Sequence, residues 1–183
     1  MLRGLETLIM AAPMPAAYGM YASDVALQQV VRSLNQSGIS NEQICLMVWP
    51  RHHIAKIMRE ANLLNSERRG TATVEELMGW LMKLGAVIIP TAGFFIRSRA
   101  FLHALVMRKD SPGLCGNSGA LVGLGFSECD AERLEDQIGE TGVLVYVESP
   151  ERERTTQAVE ILRRTGAIET ATLEQAWARE AVA

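Results

Sequence analysis

The chain has 183 residues, 48% of them apolar and 21% charged, with a formal net charge of −3. That length holds one sizeable domain, or a domain with a large insertion, and the composition is that of a globular protein rather than a disordered one. The slightly acidic balance, with three Trp, three Tyr and four Phe, excludes a general electrostatic attraction to nucleic acid or anionic lipid and argues against a stacking platform for single strands.

In chain order, Met1-Leu2-Arg3 and the apolar Leu8–Ala12 outline a secretory signal, but Glu6, Pro13 and Pro15 interrupt it. Leu5–Met14 reads instead as a short arm or added strand leading into a strand at Ala17–Ala22. Ser23 and Asp24 supply an N-cap and an acidic first turn, so the pattern predicts a helix from Asp24 to Ser37, ended by Gly38. Gln43–Trp49 is a continuous apolar run bounded by Asn41 and Pro50, the signature of a buried strand. His52–Leu64 carries Ile54, Ile57, Met58 and Ala61 at helical spacing. A polar loop follows, and Thr73 opens a third helix with Val74, Leu77, Met78 and Leu81 on one face.

Leu84–Ile96 contains no charge, is interrupted by Pro90 and Gly93, and is followed by Arg97-Ser98-Arg99. Its thirteen residues fall short of the roughly 20 that a spanning helix needs. The expectation is a buried or interfacial helical hairpin over Leu84–Met107. A glycine-rich stretch, Ser118–Phe126, then allows close backbone approach. Ser127 with Asp130 caps a helix with Ala131, Leu134 and Ile138 on its buried face. Gly139 and Gly142 precede a strand at Val143–Glu148, a helix over Pro150–Arg164, a short strand at Ala167–Thr170 and a last helix from Thr172.

Two of these segments repeat each other. Leu27, Val30, Val31, Leu34 and Gly38 keep the spacing of Thr155, Ala158, Val159, Leu162 and Gly166. Each set is one helix face followed by a glycine at the left-handed C-terminal position, and each follows an apolar strand. The pattern predicts a single domain, 1–183, built by pseudo-duplication. Residues 17–49 form a first strand–helix–strand unit, 73–107 an apolar helical insertion, and 127–170 a second helix–strand–helix–strand unit. Right-handed crossovers put both matched helices on one face of a common sheet.

The segment Gly123-Leu124-Gly125-Phe126-Ser127, with Ala131, Leu134, Gly139 and Gly142-Val143-Leu144-Val145 and then the Ala158–Gly166 helix, resembles the bacterial heat-induced general stress protein family. Tyr18–Val48 resembles that family's N-terminal strand–helix–strand, and Gly85–Gly93 looks like a remnant of its glycine- and alanine-rich insertion. The resemblance spans most of Tyr18 to Thr170. It implies an α+β, ferredoxin-like sandwich and a link to stress, and brings no catalytic residues. Arg97, Arg99 and His103 break the family's glycine-alanine run, which argues against an inherited membrane role.

No reaction is legible. His52 and His53, with Cys45 or His103, have metal-ligating chemistry, but adjacent residues on a helix point about 100° apart and rarely share one ion. Gly119–Gly125 lacks the Lys-Ser/Thr of a phosphate loop and the strand context of a dinucleotide fold. The acidic residues from Glu128 to Asp136 read as a solvated helix face. Among Cys45, Cys115 and Cys129, no Cys-x-x-Cys pair occurs, which suits a reducing compartment. Cys45 is a core position. Cys115, in a Gly-Leu-Cys-Gly-Asn loop, is the candidate reactive thiol, with Arg108 and Lys109 the only local cations to activate it.

The expected function is therefore non-enzymatic: a cytoplasmic accessory protein, with no cofactor, that self-associates or docks a protein partner through Val87, Ile88, Ile89, Phe94, Phe95 and Phe101. Peripheral membrane contact of the same segment is an alternative use. A small-molecule sensor with a pocket between sheet and insertion, and a thiol-dependent enzyme at Cys115, are the competing readings.

Overall fold

The computed structural model describes residues 14–22, 25–48, 86–89, 93–97, 117–138 and 142–181. In chain order these form β1 (Ala16–Tyr21), α1 (Leu27–Gln36), β2 (Ile44–Val48), β3 (Ala86–Ile89), β4 (Gly93–Arg97), α2 (Asn117–Gly123), α3 (Glu128–Ile138), β5 (Val143–Glu148), α4 (Arg152–Arg164), β6 (Glu169–Thr172) and α5 (Leu173–Glu180). The chain is mixed α+β. Among the described residues six strands make one sheet in the order β3-β4-β2-β5-β1-β6, every neighbouring pair antiparallel.

Two strand–helix–strand units interleave at the centre. β1 and β2 run parallel with β5 between them, while β5 and β6 run parallel with β1 between them. The connecting helices α1 and α4 lie on the same face, as the matched stripes require. Leu27, Val30, Val31 and Leu34 of α1 and Ala158, Val159 and Leu162 of α4 share one core cluster with Leu46, Val145 and Val147 of the sheet. The opposite face carries Tyr18, Met20, Cys45, Met47, Leu144 and Tyr146. It is covered by Leu121, Phe126, Ala131, Leu134, Leu173 and Ala176 from the α2–α3 segment and α5. Helices on both faces explain why β2 and β5 read as unbroken apolar runs instead of alternating.

The two repeated glycines terminate their helices in the same way. Gly38 has φ +88° and Gly166 has φ +94°, in the region where a side chain is strained. Gly38 N–H donates to Asn35 O at 3.0 Å and Ile39 N–H to Leu34 O at 3.2 Å. Gly166 N–H and Ala167 N–H make the matching bonds to Arg163 O and Leu162 O, both at 3.1 Å. This is the Schellman arrangement, and it satisfies the last helical carbonyls while the residue after the glycine turns back onto the core.

Helix starts were less legible. Helix α1 begins at Leu27 with Ala26 at the N-cap and no side-chain cap, three residues later than the expected Asp24; Ser23 and Asp24 lie outside the described residues. At α3 the expected cap is present, Asp130 N–H donating to Ser127 Oγ at 3.1 Å. The strand expected at Ala167–Thr170 sits two residues on, at Glu169–Thr172: Ala167 N–H is taken by Leu162 O at the α4 terminus, while Ile168 N–H already donates to Met20 O of β1 at 2.7 Å. At Thr172 a reciprocal cap starts α5. Gln175 N–H donates to Thr172 Oγ1 at 3.2 Å and Thr172 N–H donates to Gln175 Oε1 at 3.0 Å. Thr172→Ala should therefore cost about 1 kcal/mol. Thermal melting should show this as a fall of about 2–4 °C for a chain of this size.

The apolar insertion needs a correction. Helical geometry was expected over Leu84–Met107, but Ala86–Ile89 and Gly93–Arg97 are strands, paired antiparallel with Val87 opposite Phe95 and Ile88 opposite Phe94. The physical reason lies in residue type. Val87, Ile88, Ile89, Phe94, Phe95 and Ile96 are β-branched or aromatic, and these side chains fit a pleated surface better than a helix. Gly93, expected to break a helix, is instead the first residue of β4, paired with Ile89 of β3; Pro90 lies outside the described residues. The helices expected at His52–Leu64 and from Thr73, and the remainder of Leu84–Met107, lie outside the described residues.

Candidate interaction edge and polar cluster

The residues expected to mediate association fall at one end of the sheet. Val87, Ile88 and Ile89 are on β3, the terminal strand among the described residues, and Phe94 and Phe95 are on β4 beside it. Phe101 and Cys115 lie outside the described residues. The hairpin is anchored to the core by register, since Phe94 stands opposite Val48 and Phe95 opposite Met47 of β2. Successive strand positions belong to opposite faces, so Val87, Ile89 and Phe95 share one face and Ile88 and Phe94 the other. The five described members of the expected apolar set thus lie at one edge of the sheet, at positions belonging to both of its faces.

Among the described residues the densest polar arrangement is at the other edge of the sheet, at β6. The carboxylate of Glu169 accepts from Tyr18 Oη at 2.8 Å and from Arg133 through Nη1 at 2.9 Å and Nη2 at 3.1 Å. Arg179 adds a longer bond to the same carboxylate at 3.3 Å and donates to Tyr18 Oη at 2.7 Å. Arg133 also grips Asp130 Oδ1 through Nε and Nη2, at 3.1 and 3.0 Å, and donates to Gln137 Oε1 at 2.7 Å. One carboxylate on a four-residue strand therefore links β1, α3 and α5.

The electrostatics describe a clamp and not a catalytic pair. Burial opposes the charge on Glu169, but the hydrogen bonds from Arg133 and Tyr18 outweigh it and hold the carboxyl below its usual range. Burial, together with the neighbouring Glu169, pushes the Tyr18 phenol up to about 12. A carboxylate saturated by donors is a poor base, and a phenol that stays protonated far above neutrality is not a nucleophile. Sequence reading missed this cluster entirely. Tyr18, Arg133, Glu169 and Arg179 carry no local spacing that relates them, and Arg133 was hidden within an acidic helix.

Elsewhere, buried polar groups serve the fold. Tyr21 Oη donates to Leu162 O at 3.1 Å and pairs with Thr165 Oγ1 at 2.8 Å, at the end of α4. Tyr146 Oη donates to Leu124 O at 2.8 Å, and Trp177 Nε1 to Gly125 O at 3.1 Å. These two bonds pin the turn between α2 and α3 to the sheet and to α5. Glu148, at the end of β5, has its carboxyl pushed up by burial.

An open depression of about 370 Å³ lies between the first turns of α4 and α5, where Arg152 Nη2 and Glu174 Oε1 form a bridge of 3.0 Å. None of its lining residues comes from β3 or β4, so it is not the pocket between sheet and insertion that a sensor was expected to have. Among the described residues no cluster of three or more His, Cys, Asp or Glu side chains is placed to hold a metal ion, and no helix is long and apolar enough to cross a membrane.

The thiols divide by burial. Cys45 is 0% exposed, in β2, and Cys129 is exposed on α3. In a Cys115→Ser background a neutral maleimide should label Cys129 within minutes and leave Cys45 untouched until denaturant is added. Mass spectrometry of the labelled native protein checks this, and native labelling of Cys45 would contradict the buried placement. Comparison with protein families, with curated proteins and with solved structures found no match.

Proposed function

We propose that this chain is a non-enzymatic assembly module of ferredoxin-like topology, related to the bacterial heat-induced general stress proteins that its sequence resembles, and that it self-associates through the β3 edge. The strand order β2-β5-β1-β6, with two interleaved strand–helix–strand units, supports the ferredoxin-like reading. One observation carries the association reading: the sheet's terminal strand among the described residues, Ala86-Val87-Ile88-Ile89, contains no charged residue and no proline. An edge strand is a row of backbone donors and acceptors, and native proteins guard such strands with lysine, proline or a bulge, by covering them, or by keeping them very short; β3 has four residues and carries neither lysine nor proline. A second copy presents the same strand, so an antiparallel β3–β3 contact about a twofold axis is self-complementary. The stress-linked role comes from the resemblance, and the cytoplasmic location rests on the wide spacing of the three cysteines in the sequence.

The test is the size of the full-length protein by light scattering, with wild type compared with Val87→Lys/Ile89→Lys. Wild type should be dimeric at micromolar concentration. The double variant should dissociate at least tenfold more readily, about 1.4 kcal/mol, while keeping its circular dichroism spectrum. A wild type that is monomeric across this range overturns the proposal. So does a folded double variant that stays dimeric. Sedimentation of the monomer with anionic vesicles would replace it with the membrane-contact reading.

A further inference from the structure

We draw no further inference here: the strongest candidate, the open depression between the first turns of α4 and α5, joins two helix N-termini whose nearby Thr155, Thr156, Thr172 and Gln175 side chains already bond to their own backbone and whose Arg152 is paired with Glu174, so nothing there points to a ligand.

Discussion

Replacing Gly19 by leucine should destabilise the protein by about 3 kcal/mol, near the upper end of what overpacking costs. Gly19 sits in β1 between β5 and β6, opposite Val145 on one side and Thr170 on the other. A Cβ at this position would stand 3.1 Å from Leu162 Cβ and 3.3 Å from Ala167 Cβ. Both are first side-chain atoms, fixed to the backbone of α4 and of the turn after it, so no rotamer change relieves the contact. Even alanine forces α4 off the sheet by a few tenths of an ångström. Leucine adds three more carbons where α4 seals the core. Set against a stability of about 5–15 kcal/mol for a typical domain, this is a large fraction.

Thermal melting of Gly19→Ala and Gly19→Leu gives the comparison. The leucine variant should melt about 6–12 °C below wild type, and alanine should fall between. Combining Gly19→Ala with Leu162→Ala leaves the Cβ contact at 3.1 Å in place and removes the one to Leu162 Cδ1 at 3.3 Å. The pair should therefore be non-additive, with the double variant less damaged than the two singles sum to. A Gly19→Leu protein that melts within about 2 °C of wild type would show that α4 does not press on β1 as described.

The parts of the fold that could be read in advance are those written by local periodicity. The stripes of α1 and α4 and the terminating Gly38 and Gly166 form one pattern within about a dozen residues, and their shared face follows from the shared apolar spacing. The β3–β4 hairpin was misread because a continuous apolar run does not distinguish strand from helix by period alone. The β-branched and aromatic content of Val87–Ile89 and Phe94–Ile96 was the better guide. Helix α1 starts at Leu27, where Ala26 takes the N-cap without a side-chain bond. The Glu169 cluster was out of reach for another reason. Tyr18 and Arg179 are 161 residues apart in the chain and meet only because β6 adds to the outer edge of β1, a pairing no short-range signal encodes.

That cluster yields the other large effect. Glu169→Gln should cost about 2 kcal/mol at neutral pH, the scale of hydrogen bonds made to a charged group. Glutamine keeps the size but offers Arg133 one carbonyl oxygen where the carboxylate offered two, and leaves two guanidiniums facing each other with less counter-charge. Arg133 and Glu169 have side chains only 32% and 20% exposed, so water replaces the lost bonds poorly. Arg179 is 52% exposed, and its share is discounted for solvent screening.

The pH dependence gives the sign. The folded-state pKa of Glu169 lies below its unfolded value, so the native state favours the ionised form. Its contribution is complete above the ordinary glutamate range, about pH 4–5, and is lost as pH falls through the lower folded value. Glu148 acts oppositely, because burial raises its pKa and protonation there favours folding. Subtracting Glu169→Gln from wild type cancels that second effect. On the alkaline side Tyr18 and Tyr21, both raised to about 12, favour the neutral phenol when folded. Their contribution is complete below about pH 10 and declines as pH rises toward 12. Urea unfolding of wild type and Glu169→Gln from about pH 3 to 8 reads the acid limb directly. The stability difference should be near 2 kcal/mol at about pH 7 and shrink as the buffer becomes more acidic than the carboxylate. A difference that stays constant across this range would mean that the substituted amide disturbs packing alone, and that the carboxylate of Glu169 does not hold α3 and α5 to the sheet edge.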